Sequence, residues 1–364
     1  MLTFRLRAMD FSDVPVLEYP GQFRLVRKIA DGGMATVYEA EQLGPAGFTK
    51  RTALKMIHPE YARRAEFLQL FVDEAKLSAN LVHGNVVQIY QLGEVDGRYF
   101  IAMEYIQGPT LRAIIDRHRE IGVPMPATLG AYILSRVCRA LDFAHNFVDQ
   151  RGRRLDIVHR DVSPGNVMAS WDGHIKLADF GIAKARTSID PAEKRPMLMG
   201  KKHYMSPEQI LGLAIDAPSD VFSAGIVLFE ILTLMPLFTE EMTELAIDEV
   251  AVHPVPSLSA QIPDVDQELE QILMLALEKD PARRPTAAAM GHALDKWCAA
   301  QNELGTPDRL QEHLQSIFPA SFQPRTYVGD TPPSFTALRA GPSLLMKSWW
   351  KRVRDAIGNE ESEP

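Results

Sequence analysis

The chain has 364 residues, 46% of them hydrophobic and 24% charged. These are ordinary globular values, and the length accommodates two or three domains or one large bilobal one. A formal net charge of −8 argues against a dedicated nucleic-acid binder.

The two cysteines, Cys138 and Cys298, lie far apart in the chain. They form neither a disulfide framework nor a metal pattern and read as thiols of a reducing cytoplasm. The N-terminus carries Arg5 and Arg7 but no sustained apolar core, so it is not read as a secretory signal. The longest apolar run, Ala224 to Phe238, is broken by Glu230, Thr233 and Pro236. It is too short and too interrupted to span a bilayer, and a buried helix is the better reading.

Residues 1–20 read as an unstructured leader, with Met9 an alternative start. From Gly21, the spacing of Phe23, Leu25, Val26 and Ile29 predicts a strand. It runs into Ile29, Ala30, Asp31, Gly32, Gly33, Met34, Ala35, Thr36 and Val37, a glycine-containing hairpin turn. Thr52 to Lys55 has strand character. Phe67, Leu70, Phe71 and Leu77 recur at helical spacing and place Glu74 on a helix over 67–81. Val86–Tyr90 and Tyr99–Met103 read as two strands separated by an Asp96-Gly97 turn. From Leu111 the chain turns helical, with one long pattern over 126–147. The polar stretch 148–156 reads as a solvated hairpin.

His159-Arg160-Asp161-Val162-Ser163-Pro164-Gly165-Asn166 follows, read as a rigid loop between short strands. An acid and an amide at this spacing suit phosphoryl transfer, where the protein orients a hydroxyl and holds metal ions against phosphate oxygens. Asp161 can accept the hydroxyl proton. Asn166 can offer an amide oxygen to Mg²⁺, a hard cation that prefers oxygen. Asp179-Phe180-Gly181 then supplies a second oxygen ligand, followed by a glycine that permits a sharp turn.

The order and separation of these motifs resemble the protein kinase family, and more narrowly the eukaryotic-like serine/threonine kinases of bacteria. The resemblance implies an α+β, two-lobed fold over residues 21–297. A small β-rich N-lobe (21–103) and a hinge (104–108) precede a larger α-helical C-lobe (109–297), with ATP and Mg²⁺ held between the lobes. By resemblance, residues 29–37 cover the ATP phosphates. Of the three glycines in the family's G-x-G-x-x-G-x-V, the second is present as Gly32, whereas the first and third are Ala30 and Ala35. Lys55 is expected on the phosphates with Glu74 as its partner. Met103 is expected behind the adenine, with backbone groups of Glu104 and Ile106 bonding it. Asp161 takes the catalytic role, and Asn166 and Asp179 the metal. The segment Tyr204-Met205-Ser206-Pro207-Glu208 resembles serine/threonine rather than tyrosine members and implies protein substrates. Glu208 should pair with Arg284. Asp220, in the first turn of a helix opened by Ser219, should cap or favour its N-terminus and, by resemblance, hold the backbone of the catalytic loop.

Two departures stand out. Asp161 is followed by Val162-Ser163 where most serine/threonine members have Leu-Lys, which removes a positive charge from the transfer site. Gly200-Lys201 replaces the family's Gly-Thr. That lysine and threonine lie side by side in the family, so Lys201 is expected to supply the missing charge; the plainer reading is a solvated lysine. Thr187 and Ser188 are the only hydroxyl residues between Gly181 and Gly200 and are the candidate phosphosites, with Arg160 the receptor such kinases often use. Ala30, Ala35 and Ser163 keep a second class open, a pseudokinase acting as a scaffold.

The match ends near Trp297. Residues 298–318 read as an extension with a helix over Leu310–Phe318 packed on the C-lobe, and 319–342 as a linker rich in Pro, Ser and Thr. Residues 343–364 combine a basic amphipathic helix with an acidic end. That segment reads as a dock within the chain or onto a partner protein, and second as a membrane-surface contact. The expected partners are ATP and protein substrates, with no nucleic acid and no transmembrane segment.

Overall fold

A computed structural model describes residues 22–95, 98–180, 202–239, 253–301 and 303–319. Among them, no helix is long and apolar enough to cross a membrane.

The N-terminal part is one antiparallel sheet. Its strands are β1 (Gln22–Asp31), β2 (Ala35–Leu43), β3 (Thr49–Ile57), β4 (Ile89–Val95) and β5 (Arg98–Glu104), in the order β1-β2-β3-β5-β4. Side chains alternate across a strand. Phe23, Ala40, Leu54, Met56, Phe100 and Ala102 therefore pack on one face, and Ala35, Ile57 and Ile101 on the other. Lys55 pairs across the ladder with Ile101, so it shares the second face. That face is covered by α2 (Ala65–Ser78), which follows the short α1 (Pro59–Ala62) and buries Phe67, Phe71 and Ala75. The helix read over 67–81 thus starts and ends earlier than expected.

The strand expected over Val86–Tyr90 begins only at Ile89. Val86 instead bridges Leu177 in parallel, and the Val87 amide donates to Leu177 O at 2.9 Å. The backbone there is committed to the C-terminal lobe, which stitches the lobes together. The Asp96-Gly97 turn lies outside the described residues.

The second part is mainly helical: α3 (Leu111–Ile121), α4 (Ala127–His145), α5 (Pro207–Ile210), α6 (Ala217–Thr233), α7 (Gln267–Ala276), α8 (Ala287–Ala300) and α9 (Pro307–Ile317). A two-stranded ladder, β6 (Val167–Ala169) with β7 (Ile175–Leu177), lies between α4 and α5. The core surrounds α6, buried on every side from Ser219 to Leu232, as expected of a helix that is apolar all round.

Several expectations are corrected here. The apolar run to Phe238 is not one helix: Leu234 adopts a left-handed φ of 58° and ends α6, and Leu237 and Phe238 enter the core from a loop. Asp220 sits in the first turn of α6, where an acidic side chain favours the N-terminus, but it is not the cap. Asp216 is, accepting from the Ala217 amide at 2.7 Å. The catalytic loop has a strand only on its C-terminal side, β6; the segment before it belongs to no strand. The helix of the extension starts at Pro307, capped by Thr306, and not at Leu310. The 148–156 hairpin is present and exposed, with Val148 bridging Arg154. Cys138 and Cys298 are buried free thiols, and burial raises both.

Candidate active site

The catalytic loop is held from below by α6. Both oxygens of the Asp220 carboxylate accept backbone amides, from His159 and Arg160, each at 2.7 Å. His145 of α4 adds a third bond at 2.8 Å. Arg160 has φ 64°, a left-handed conformation that is costly for a residue with a Cβ and persists only where its surroundings over-determine it. Asp220 is that determinant. Gln209 adds a second tie, its amide donating to Arg160 O at 3.0 Å.

His159 is fully buried. Its Nε2–H donates to Ala178 O at 3.0 Å and its Nδ1 accepts from the Asp161 amide at 3.2 Å, which fixes the tautomer. The His159 ring packs on Phe180, centroids 4.5 Å apart. Phe180 is buried, and it lines the cleft together with Asp179, which has φ 55°.

The sequence-predicted polar residues converge there. Lys55 Nζ lies 2.8 Å from Glu74 and 3.0 Å from Asp179. Burial opposes the ammonium charge, but the two carboxylates more than offset it and raise the pKa of Lys55. Asn166 Nδ2 donates to Asp161 O at 2.8 Å and to its carboxylate at 2.9 Å, leaving the Asn166 amide oxygen as the end turned away from Asp161. The Ala178 amide donates to Asn166 O at 2.8 Å, so Asp179, one residue on, is drawn beside Asn166. The Asn166 amide and the Asp179 carboxylate each offer a hard oxygen donor of the kind that suits Mg²⁺. Lys55, Glu74, Val87, Ile89, Met103 and Asp179 line the cleft between the lobes.

The hairpin between β1 and β2 carries Gly32, Gly33 and Met34 at its tip. Gly32 donates to Ala35 O at 3.0 Å, and the His58 amide donates to Met34 O at 2.8 Å. Thr36 Oγ1 donates to Asp31 at 2.7 Å. Bonds from Lys28 and then Thr36 hold the Asp31 carboxyl at about 2. Ile29, Ala30 and Val37 belong to the flanking strands. At the hinge, Ile106 is buried and the Glu104 carboxylate accepts from Lys176 at 2.8 Å. Sequence reasoning missed Lys176, since nothing local marks it. It also missed Gln209, although Ser206 and Gln209 have the spacing of a reciprocal helix cap, and both bonds of that cap form. Glu208 and Arg284 form the expected buried pair at 2.6 and 2.9 Å. Ser163 is buried beside Asp161. Gly181, Thr187, Ser188 and Lys201 lie outside the described residues, as do the leader, most of the linker and the basic segment.

Residues 23–295 match the protein kinase domain family. The chain belongs to the protein kinase family. Among curated relatives, the chain is 38% identical over 289 residues to the tyrosine-protein kinase MasK of Myxococcus xanthus, a match covering 78% of this chain and 44% of that protein. It is 36% identical over 265 residues to the serine/threonine-protein kinase PrkC of Bacillus subtilis, covering 72% and 38% respectively. The chain therefore spans less than half the length of these two relatives. The crystal structure of the Mycobacterium tuberculosis PknI kinase domain aligns with a TM-score of 0.57 at 27% identity, over 76% of this chain and 96% of that one. The two-lobed kinase fold expected from the sequence is the fold observed.

Proposed function

We propose that the chain is a bacterial serine/threonine protein kinase, transferring the γ-phosphoryl group of ATP to hydroxyls of protein substrates. The observation that carries this reading is the assembled constellation: Lys55 between Glu74 and Asp179, with Asp161 bonded to Asn166. A scaffold that had abandoned chemistry would have no need of all five groups in register.

Each side chain has a definite task. Lys55 binds the α- and β-phosphates as a point charge, held by Glu74. The β1–β2 hairpin, residues 29–37, covers the phosphates, and Ala30 and Ala35 narrow the approach that glycine would allow. Glu104 and Ile106 bond the adenine through their backbones. Asp161 orients the acceptor hydroxyl and accepts its proton. Asn166 and Asp179 hold Mg²⁺, which, when bound, neutralises charge on the phosphate oxygens. Lys201 takes the place of the lysine missing at Ser163. Thr187 and Ser188 are sites of autophosphorylation, and the basic segment at 343–357 docks on this chain or on a partner. The dependence on ATP and Mg²⁺ suits the cytoplasm.

The test is transfer of labelled phosphate from ATP·Mg²⁺ by purified protein beside Asp161→Asn, with phosphoamino-acid analysis. Phosphoserine or phosphothreonine that vanishes in the variant is expected. Phosphotyrosine would move the acceptor to the class in the name of MasK. Nucleotide binding without transfer would support the scaffold reading.

A further inference from the structure

The last described helix, α9, lies beyond the matched family region, which ends at residue 295. It is nevertheless built into the main core. Leu310, Leu314 and Ile317 are buried there, whereas Gln315 and Ser316 face outward. Side-chain and main-chain contacts pin the helix to two different elements.

On α3, Arg117 Nε donates to Ile317 O at 2.9 Å, and His118 bonds His313 across 2.9 Å. On the β6–β7 turn, Gly173 has φ 81°, and a Cβ there would sit 1.9 Å from Pro307 O. Only glycine lets the turn and the start of α9 come so close. At the other end, the Phe318 ring meets Trp171 edge to face, centroids 6.0 Å apart.

That turn in turn grips the hinge. The Trp171 amide donates to Gln107 O at 2.9 Å, and the Ala169 amide donates to Pro109 O at 2.9 Å. Thr110 bridges Met168, and a Cβ on Gly108 would lie 1.9 Å from Ala169 O. A continuous packed path thus runs from Phe318 through Trp171 to Gln107, one residue beyond Ile106.

We propose that α9 is a positioning element for the nucleotide site, clamping the β6–β7 turn so that Trp171 and Ala169 fix the backbone from Gln107, in the hinge, to Pro109, just after it. This rests on reading the cleft as a nucleotide site. It makes the segment after residue 301 part of the working domain, and makes whatever acts on the chain beyond residue 319 able to reach the hinge.

The test uses the full chain with Phe318→Ala, Phe318→Tyr and, on the exposed face of the same helix, Gln315→Ala. Amide hydrogen exchange is followed over residues 104–110, and the Kd for ATP·Mg²⁺ is measured by calorimetry. Phe318→Ala should speed exchange at the hinge and weaken nucleotide binding by about three- to tenfold. Phe318→Tyr should restore both, and Gln315→Ala should change neither. A Phe318→Ala protein with lowered Tm but unaltered hinge exchange would overturn the proposal, because α9 would then be mere core. If the unaltered protein binds no nucleotide, the reading of the cleft fails, while hinge exchange still decides the role of α9.

Discussion

The ammonium of Lys55 lies 3.0 Å from the carboxylate of Asp179, which follows it by 124 positions in the chain. Lys55 belongs to the strand lobe and Asp179 to the segment after β7, so this one contact registers the two lobes against each other. Glu74 approaches the same nitrogen from α2 at 2.8 Å. Lys55→Met should lower kcat/KM for phosphate transfer by on the order of 10²–10³. Glu74→Gln keeps a hydrogen-bond acceptor and should cost less, about tenfold. Steady-state kinetics on both variants, with circular dichroism as the check on folding, measures the difference.

Ser163 stands where a cation is expected to meet the transferring phosphate. If Lys201 fills that role, Lys201→Thr should lower kcat by about 10- to 100-fold, with KM for ATP nearly unchanged. Lys202→Thr should have little effect. Equal and small losses in both variants would sink the compensation.

Glu208 and Arg284 are buried together, and the Arg284 guanidinium also donates to the carbonyls of Pro218, Glu278 and Lys279. Removing one partner leaves an uncompensated buried charge. Arg284→Ala should cost about 3–5 kcal/mol of stability. Chemical denaturation would register it as a lower midpoint.

Asp216 and Asp220 separate a cap from a catalytic support. Asp216→Ala should cost about 1 kcal/mol of stability and leave the activity of folded protein intact. Asp220→Ala strands the amides of His159 and Arg160, each a buried donor worth about 1–3 kcal/mol. It should lower stability and, because Arg160 is then free to leave φ 64°, transfer activity as well. Denaturation and kinetics on the same two preparations distinguish them.

The His118–His313 contact predicts a pH dependence. His118 Nδ1–H donates to Val123 O at 2.6 Å, so its Nε2 accepts from His313 Nε2–H. Burial lowers both rings, and His313, further depressed by His118, falls to about 4. Unfolded, each ring titrates near ~6.5. The unfolded chain therefore binds more protons than the native one through this window. The stability contributed by the pair is whole above pH ~6.5 and is lost as pH falls toward 4. His313→Gln retains a donor and should flatten the slope of denaturation midpoint against pH in that range.

The candidate chemistry-bearing residues were legible in the sequence because their motifs, in order and separation, resemble those of the protein kinase family. Asp161 and Asn166 share one loop, Asp179 follows after one hairpin, and Lys55 precedes a helix that carries Glu74, as that resemblance implies. The strand alternation and the helical spacing of α2, α4 and α9 were also readable, since each reports one buried face. Element ends were not. The run to Phe238 looks helical until Leu234 turns left-handed, and Val86–Val87 looks like sheet until β7 takes its hydrogen bonds. Those outcomes depend on which distant backbone is available to pair. The same holds for Asp220. Its place near a helix start fitted a cap, but only the packed core brings His159 and Arg160 over it and leaves capping to Asp216. Lys176 on Glu104 and Trp171 beneath the hinge carry no local signal at all, and the local signal at Gln209 is for a helix cap, not for its bond to Arg160. The sequence by itself determined which groups are candidates for the chemistry and which faces are buried. The tertiary structure alone decided how those groups are held, because long-range pairing is set by three-dimensional proximity and not by spacing along the chain.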